Sequence, residues 1–221
     1  MLLLVGAAHR VEAGTTYGTY TETAYAPALA TEHEIRITNL KAGTRYFYRF
    51  GSSTLTLQSG EDNYFTTAPS AGHTGKMRVA VMGDCGINKN GVQPKTLAAY
   101  QRYVGSDPAE LLLLLGDNAY QDGTDAEFQS NFFNVYGPGI LKNHVVFPAP
   151  GNHDYHTTST SSRSAPYYKI FTLPTKGESG GVASGTEGYY SYDWGNIHFI
   201  SLDSEGTEGP DNSSLSDTLG P

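Results

Sequence analysis

Three turns in this 221-residue chain carry side chains suited to holding a metal ion: Gly83-Asp84-Cys85-Gly86, Gly116-Asp117-Asn118-Ala119-Tyr120 and Gly151-Asn152-His153-Asp154. Asp84, Asp117 and Asn152 offer hard oxygen ligands and lie 33 and 35 residues apart. A carboxylate has two oxygens and can bridge two ions. An amide oxygen leaves its ion more electrophilic than another carboxylate would. The glycine ahead of each ligand lets the backbone turn sharply, so that a short side chain can reach a metal. Any one such turn is commonest as a structural cap; three in order, each behind an apolar run, read as one site.

For the three to meet, they must sit at neighbouring strand ends. Residues 78–82, 111–115, 145–149 and 197–202 predict strands, and 94–103 and 126–136 predict helices. This α/β order suits the ligand spacing, because parallel neighbours need a long crossover between them. Ligand sites in open α/β sheets gather at the carboxyl ends of the strands. The five leucines at 111–115 stop at Gly116-Asp117, as a buried strand does, and are far too few to cross lipid. The Ser/Thr-rich stretch 157–164 predicts a surface loop.

Ahead of this unit, residues 15–67 alternate in character, as in His33-Glu34-Ile35-Arg36-Ile37-Thr38 and Tyr46-Phe47-Tyr48-Arg49-Phe50, with turn residues at Asn39, Gly43 and Gly51. That is an antiparallel sandwich pattern. Tyr46 follows a turn at the start of a strand, where its hydroxyl reaches back to the corner backbone, and in this the segment resembles a fibronectin type III domain. Such a domain takes about 100 residues, so its first strands are expected to be missing and its role to be packing. Thr67-Ala68-Pro69-Ser70-Ala71-Gly72 reads as a linker, and a second domain begins near Lys76.

The formal net charge of −8 disfavours nucleic-acid binding through a basic face. Twenty-six glycines and 16 tyrosines mark a turn-rich sheet protein rather than a disordered or coiled-coil chain. The single cysteine, Cys85, cannot close an intrachain disulfide; without a neighbouring base or cation it reads as a buried small residue. The opening Met1 to Ala8 is apolar but short and lacks a basic flank, so it reads as a strand or ragged edge, and nothing looks membrane-spanning. An Asn-Ser-Ser sequon at Asn212 is compatible with secretion.

Gly-Asp-x-Gly, then Gly-Asp-x-x-Tyr, then Gly-Asn-His-Asp, in that order, resembles the metallophosphoesterases. Tyr120, at the third position after Asp117, narrows the likeness to the purple acid phosphatases. The stretch from Tyr190 to Ser204 resembles that family's next strand. The resemblance implies hydrolysis of small phosphate esters, monoesters rather than diesters, at a binuclear metal centre. In it Asp84 binds Fe(III), Asp117 bridges both ions, Tyr120 binds the iron, and Asn152 binds a divalent ion (Zn, Mn or Fe). The resemblance gives His153 a contact to a phosphate oxygen or a role in aiding the leaving group; it reads also as a side chain that orients Asn152 or a metal-bound water. A phenol with an ordinary pKa near 10 ionises on Fe(III), and the charge transfer would colour the protein. The ester would lie between ions about 3.5 to 4 Å apart, in a pocket that the metals leave positive. Secretion and activity in acid follow from the same likeness.

The fold so implied is an N-terminal β-sandwich of fibronectin type III kind (residues 1–70) followed by the N-terminal part of an α/β metallophosphoesterase domain (76–221), an α/β/β/α sandwich whose second half is missing. The resemblance also implies a strand-end His or His-His motif and a later Gly-His-x-His; neither stands in this sequence, whose last histidine is His198. His156 shares the third turn's loop but has Thr neighbours that make it a poor substitute ligand. His198 falls within a predicted strand and reads as a sheet histidine satisfied by hydrogen bonds. The chain is therefore expected to be a fragment truncated at both ends that hydrolyses phosphomonoesters poorly or not at all. A phosphodiesterase of the same superfamily, which Tyr120 argues against, and a non-catalytic metal-binding or adhesion module are the alternatives.

Overall fold

The computed structural model describes residues 3–5, 9–26, 32–87 and 89–205. The N-terminal part is built from β1 (Leu3–Val5), β2 (Arg10–Gly14), β3 (Glu22–Tyr25), β4 (Glu32–Glu34), β5 (Arg45–Gly51), β6 (Thr56–Gln58) and β7 (Tyr64–Thr66). β2 lies between β3 and β5, and β6 and β7 both pair with β5, giving a five-stranded antiparallel sheet; β1 and β4 form a separate antiparallel pair. Period-two alternation decides the faces. Val11 and Ala13 of β2 and Tyr46 and Tyr48 of β5 turn inward and are buried. On the other face Glu12 stands opposite Arg49, and the guanidinium closes a bidentate pair with its carboxylate at 2.8 and 3.0 Å.

The corner before β5 is held as its sequence suggests, with the Lys41 N–H donating to the Tyr46 hydroxyl at 3.0 Å. Residues 35–38 differ from the alternation read there: they are not a strand. Ile35 is nonetheless buried, clustered with Val11, so its side chain is accommodated although its backbone joins no ladder. Of the opening residues, 3–5 are strand, whereas 1, 2 and 6–8 lie outside the described residues, as do the Asn212 sequon and Pro221.

The second part centres on β8 (Val79–Met82), β9 (Leu111–Leu115) and β10 (Val145–Ala149), a parallel sheet with β9 in the middle and Val79, Leu111 and Val145 in register. The crossover from β8 to β9 carries α1 (Val92–Val104), which starts two residues before and ends one residue after the 94–103 predicted. β9 is sandwiched on both faces, and Leu111, Leu112 and Leu114 are almost wholly buried, which is why its pattern is a continuous apolar run rather than an alternation.

The helix expected at 126–136 is instead a longer helical run whose backbone widens twice to π-helical bonding, over Phe128–Phe133 and Gly137–Leu141. The cause is visible in the side chains. Phe128, Phe132, Tyr136 and Ile140 recur every four residues and are all buried. A 3.6-residue helix would rotate such a series steadily off one face, and wider turns keep it aligned. These residues pack with Leu112, Leu114 and the short helix Pro166–Ile170 in the main core. β11 (Tyr190–Trp194) and β12 (Ile197–Ser201) form an antiparallel hairpin whose Tyr192 stacks on Phe147 of β10 at 3.7 Å between ring centroids.

The two parts meet where Tyr48 donates to the Lys142 carbonyl at 2.8 Å and Lys142 pairs with Asp62. Beside this junction lies a largely apolar cavity of about 540 Å³ lined from both sides, by Val11, Ile35 and Phe50 and by Phe133, Val146 and Phe171. Among the described residues no helix is long and apolar enough to cross a membrane.

Candidate metal centre

All three turns emerge at the carboxyl ends of adjacent parallel strands, Asp84 after β8, Asp117 after β9 and Asn152 after β10. Their backbones are in direct contact. Asp84 N donates to Gly116 O at 3.2 Å, Gly86 N to Asp117 O at 3.3 Å, and Tyr120 N to Gly86 O at 3.3 Å. The glycines permit this approach: a Cβ on Gly151 would fall 2.4 Å from Asp117 N and Oδ1, and one on Gly86 would fall 2.3 Å from Asn118 O. Asp84 and Asp117 themselves take left-handed backbone, with φ of 53° and 54°. A non-glycine residue is held there only where its surroundings enforce it.

Asp84, Asp117 and Tyr120 converge. The Tyr120 hydroxyl lies 2.5 Å from Asp84 Oδ1 and 2.5 Å from Asp117 Oδ2. A phenol has one proton and can satisfy one carboxylate at a time. Burial first, and then the Asp117 and Asp84 carboxylates, push the phenol well above its ordinary range. A cation among these oxygens inverts that balance, because it neutralises both carboxylates and favours the phenolate. The donor set therefore fits a hard, highly charged metal ion.

Asn152 opens the 3-10 turn Asn152–Tyr155 and is exposed. The next residue along the turn contacts Asp117: the His153 N–H donates to Asp117 Oδ1 at 3.0 Å. The His153 ring lies over Tyr120, 4.2 Å between centroids, and its Nδ1 is 2.7 Å from the Gln121 carbonyl. That acceptor places the proton on Nδ1 and leaves Nε2 for another partner. His156 is not beside the carboxylate pair. Its ring is 4.5 Å from that of His153 and its Nδ1 is 3.2 Å from Asp122. His198 pairs across the β11–β12 hairpin with Asp193 at 2.6 Å. Cys85 is buried, and burial pushes its thiol up to about 12, which fits an inert packing residue. Among the described residues no group of three or more His, Cys, Asp and Glu side chains could hold a metal. The oxygens the structure brings together are those of two carboxylates and a phenol, with Asn152 on the neighbouring turn.

Two carboxylates that sequence reasoning passed over shape this pocket. Asp154 is fully buried and accepts from Gly151 N at 2.9 Å, Asn118 N at 3.1 Å and Asn118 Nδ2 at 3.0 Å, clamping the second turn to the third. Burial raises it to about 6 against the pull of those donors. Its one signal was membership of the Gly-Asn-His-Asp run. Glu127 accepts from the N–H groups of Gln121, Asp122 and Thr124 and fixes the loop beyond Tyr120. Thr124 and Glu127 form a capping box, which the T-x-x-E spacing announces.

Comparison with known proteins agrees with this architecture. Residues 77–217 match the calcineurin-like phosphoesterase family. Purple acid phosphatase 15 of Arabidopsis thaliana is 29% identical over 191 residues, covering 77% of this chain and 34% of the relative. Purple acid phosphatase 23 of the same plant is 27% identical over 192 residues, covering 77% and 40%. The chain thus spans well under half the length of these relatives. The solved structure of purple acid phosphatase PPD1 from yellow lupin (Lupinus luteus) seeds superposes with a TM-score of 0.67 at 18% identity, over 90% of this chain and 40% of that one. The fold is that of the metallophosphoesterases, and the chain belongs to the calcineurin-like phosphoesterase family.

Proposed function

We propose that the chain carries the first half of a purple acid phosphatase-type site that hydrolyses phosphate monoesters. In this reading Asp84 and Tyr120 would hold Fe(III), Asp117 would be shared with a divalent ion (Zn, Mn or Fe), and Asn152 would ligate that divalent ion. The observation that carries it is the Tyr120 hydroxyl set 2.5 Å from each of two carboxylates, an arrangement short of positive charge. When bound, a metal pair supplies Lewis-acid stabilisation and an activated water for in-line attack. The net reaction would form a bond from water oxygen to phosphorus, break the bond from phosphorus to the ester oxygen, and leave the water's proton on the departing alcohol. His153, fixed through Nδ1 with Nε2 available, is placed to donate to a phosphate oxygen or to that leaving group. Residues 1–70 serve as a packing module of fibronectin type III kind, residues 76–221 form the phosphoesterase part, and the site of action is extracellular.

The test is spectroscopic. The Fe(III)-loaded chain is expected to show a visible phenolate-to-iron band that Tyr120→Phe abolishes, and a colourless loaded chain would sink the assignment. A second reading, metal binding without turnover, is favoured by the shortage of histidine among the donors. On the ligands present, Asp117 and Asn152 alone hold the divalent ion weakly. The expected result is a coloured chain with little or no hydrolysis of a chromogenic phosphate; fast metal-dependent turnover would overturn that second reading.

A further inference from the structure

The 3-10 turn that carries Asn152 and His153 ends at Tyr155, and the Tyr155 side chain runs away from the site into the core. There its hydroxyl donates to Asp203 Oδ2 at 2.7 Å and lies 2.7 Å from the Tyr168 hydroxyl. With its proton given to the carboxylate, the Tyr155 oxygen accepts from Tyr168. Asp203 follows β12, is 2% exposed, and takes the Glu205 N–H on its other oxygen at 2.9 Å. Room for this cluster depends on Gly188, where a Cβ would fall 2.9 Å from the Tyr168 hydroxyl and 3.4 Å from Asp203 Oδ2.

The turn is thus pinned at both ends. Asp154 holds its start to Gly151 and Asn118, and Asp203 holds its finish through Tyr155. Between the pins, the His153 N–H donates to Asp117 Oδ1 at 3.0 Å, while Asp117 Oδ2 faces Tyr120. A hydrogen bond of that length fades with a shift of a few tenths of an ångström. Without it, the Asp117 carboxylate loses one of the contacts that set its rotation, the Tyr120 hydroxyl on Oδ2 being another.

We propose that Tyr155 and Asp203 are positioning residues for the Asp117 carboxylate: by fixing the 3-10 turn they hold the His153 N–H on Oδ1 and so aim Oδ2 at the metal position. The proposal rests on the reading of Asp117 and Tyr120 as iron ligands. It extends the site to Asp203, two residues beyond the end of β12.

The test compares the Fe(III)-loaded full chain with Tyr155→Phe, Asp203→Asn and Tyr48→Phe. Tyr48 makes the same kind of buried hydroxyl bond, to Lys142 O, remote from the site. Tyr155→Phe is expected to lower Fe(III) affinity about tenfold, at the low end of what loss of a ligand's supporting partner costs, and to shift the visible band. Asp203→Asn, which keeps an acceptor for Tyr155, should do the same to a smaller degree. Tyr48→Phe should lower the melting temperature and leave band and affinity unchanged. A folded Tyr155→Phe with the wild-type band and affinity overturns the proposal. If the variants do not fold, amide exchange in the unaltered chain decides. Iron loading should slow exchange at His153 and Glu205 together, and slowing at His153 with Glu205 unchanged overturns the coupling. A wild-type chain that takes up no iron and shows no band removes the underlying assignment, and this proposal with it.

Discussion

Tyrosine hydroxyls are used in opposite ways in the N-terminal sheet and at the ends of β8 to β10. In the sheet Tyr46 accepts the Lys41 N–H and Tyr48 donates to the Lys142 carbonyl, so each phenol meets a partner of matching kind. At the strand ends one phenol proton faces two carboxylates. The backbone repeats the contrast. Asn39 takes a φ of 61° in a turn, where an amide side chain tolerates the left-handed region, whereas Asp84 and Asp117 take it at 53° and 54° with both carboxylates aimed at one hydroxyl. Matched polar groups hold a fold together. Mismatched ones, held in strained backbone, are where the proposed metal would sit.

The hardest break of that contrast is Gly151→Ala. The new Cβ would fall 2.4 Å from Asp117 N and Oδ1, so the third turn must retreat from the second. We expect a loss of about 1–3 kcal/mol in stability together with loss of Fe(III) binding, read by urea unfolding and the visible band. Gly137→Ala, where a Cβ meets nothing within 4 Å, should change neither.

Asp84→Asn sharpens the comparison further, because stability and binding should move in opposite directions. Removing one carboxylate relieves the competition for the Tyr120 proton, so the metal-free chain is expected to gain about 0.5–1 kcal/mol, while Fe(III) affinity falls about 100-fold or more. Loss of stability in the metal-free variant would show that the pair is matched after all. The counterpart in the sheet is Tyr46→Phe, which leaves the Lys41 N–H unpaired. It should cost about 1 kcal/mol and leave iron binding untouched, as isothermal titration would show.

How much of this was legible in the sequence follows from what each feature depends on. The strands at 111–115 and 145–149 appear where expected, because an apolar run ending in turn residues is a local signal. Asp84, Asp117 and Tyr120 were legible through their spacing behind such runs, and the structure joins all three. Residues 35–38 alternate correctly yet form no strand, since pairing depends on a neighbour that alternation does not specify. The π-helical widening after Glu127 is set by four aromatic and aliphatic side chains meeting a shared core, and no propensity scale encodes it. Asp154, Tyr155 and Asp203 were passed over for a related reason: each acts through atoms brought close only by the fold.

A buried histidine gives the finest test of matched polarity. His144 precedes β10, and its Nδ1 is 2.9 Å from Ile140 O and 2.6 Å from Asn143 Oδ1, two acceptors that require a proton there. Its Nε2 is 2.8 Å from the Tyr100 hydroxyl, which then donates to it. The ring is thus neutral with every atom satisfied, and a second proton on Nε2 would expel the Tyr100 donor. Burial accordingly pushes the imidazole below its ordinary 6.5, against the pull of the Ile140 carbonyl. A depressed folded pKa means that the unfolded chain binds the proton first. The stability His144 contributes is therefore complete above pH 6.5 and drains away as pH falls below it. Asp154, raised to about 6, has the reverse sign: its contribution is full below 3.8 and is lost as pH climbs through 6. The His144 effect must then be read as a difference between two chains that both keep Asp154. Urea unfolding of the metal-free wild type and of His144→Gln at pH 7.5, 6 and 5 should show the wild type losing its advantage as pH drops. Parallel curves would mean that the buried ring accepts a proton as readily as a free one, and that the match seen at Tyr100 carries no energy.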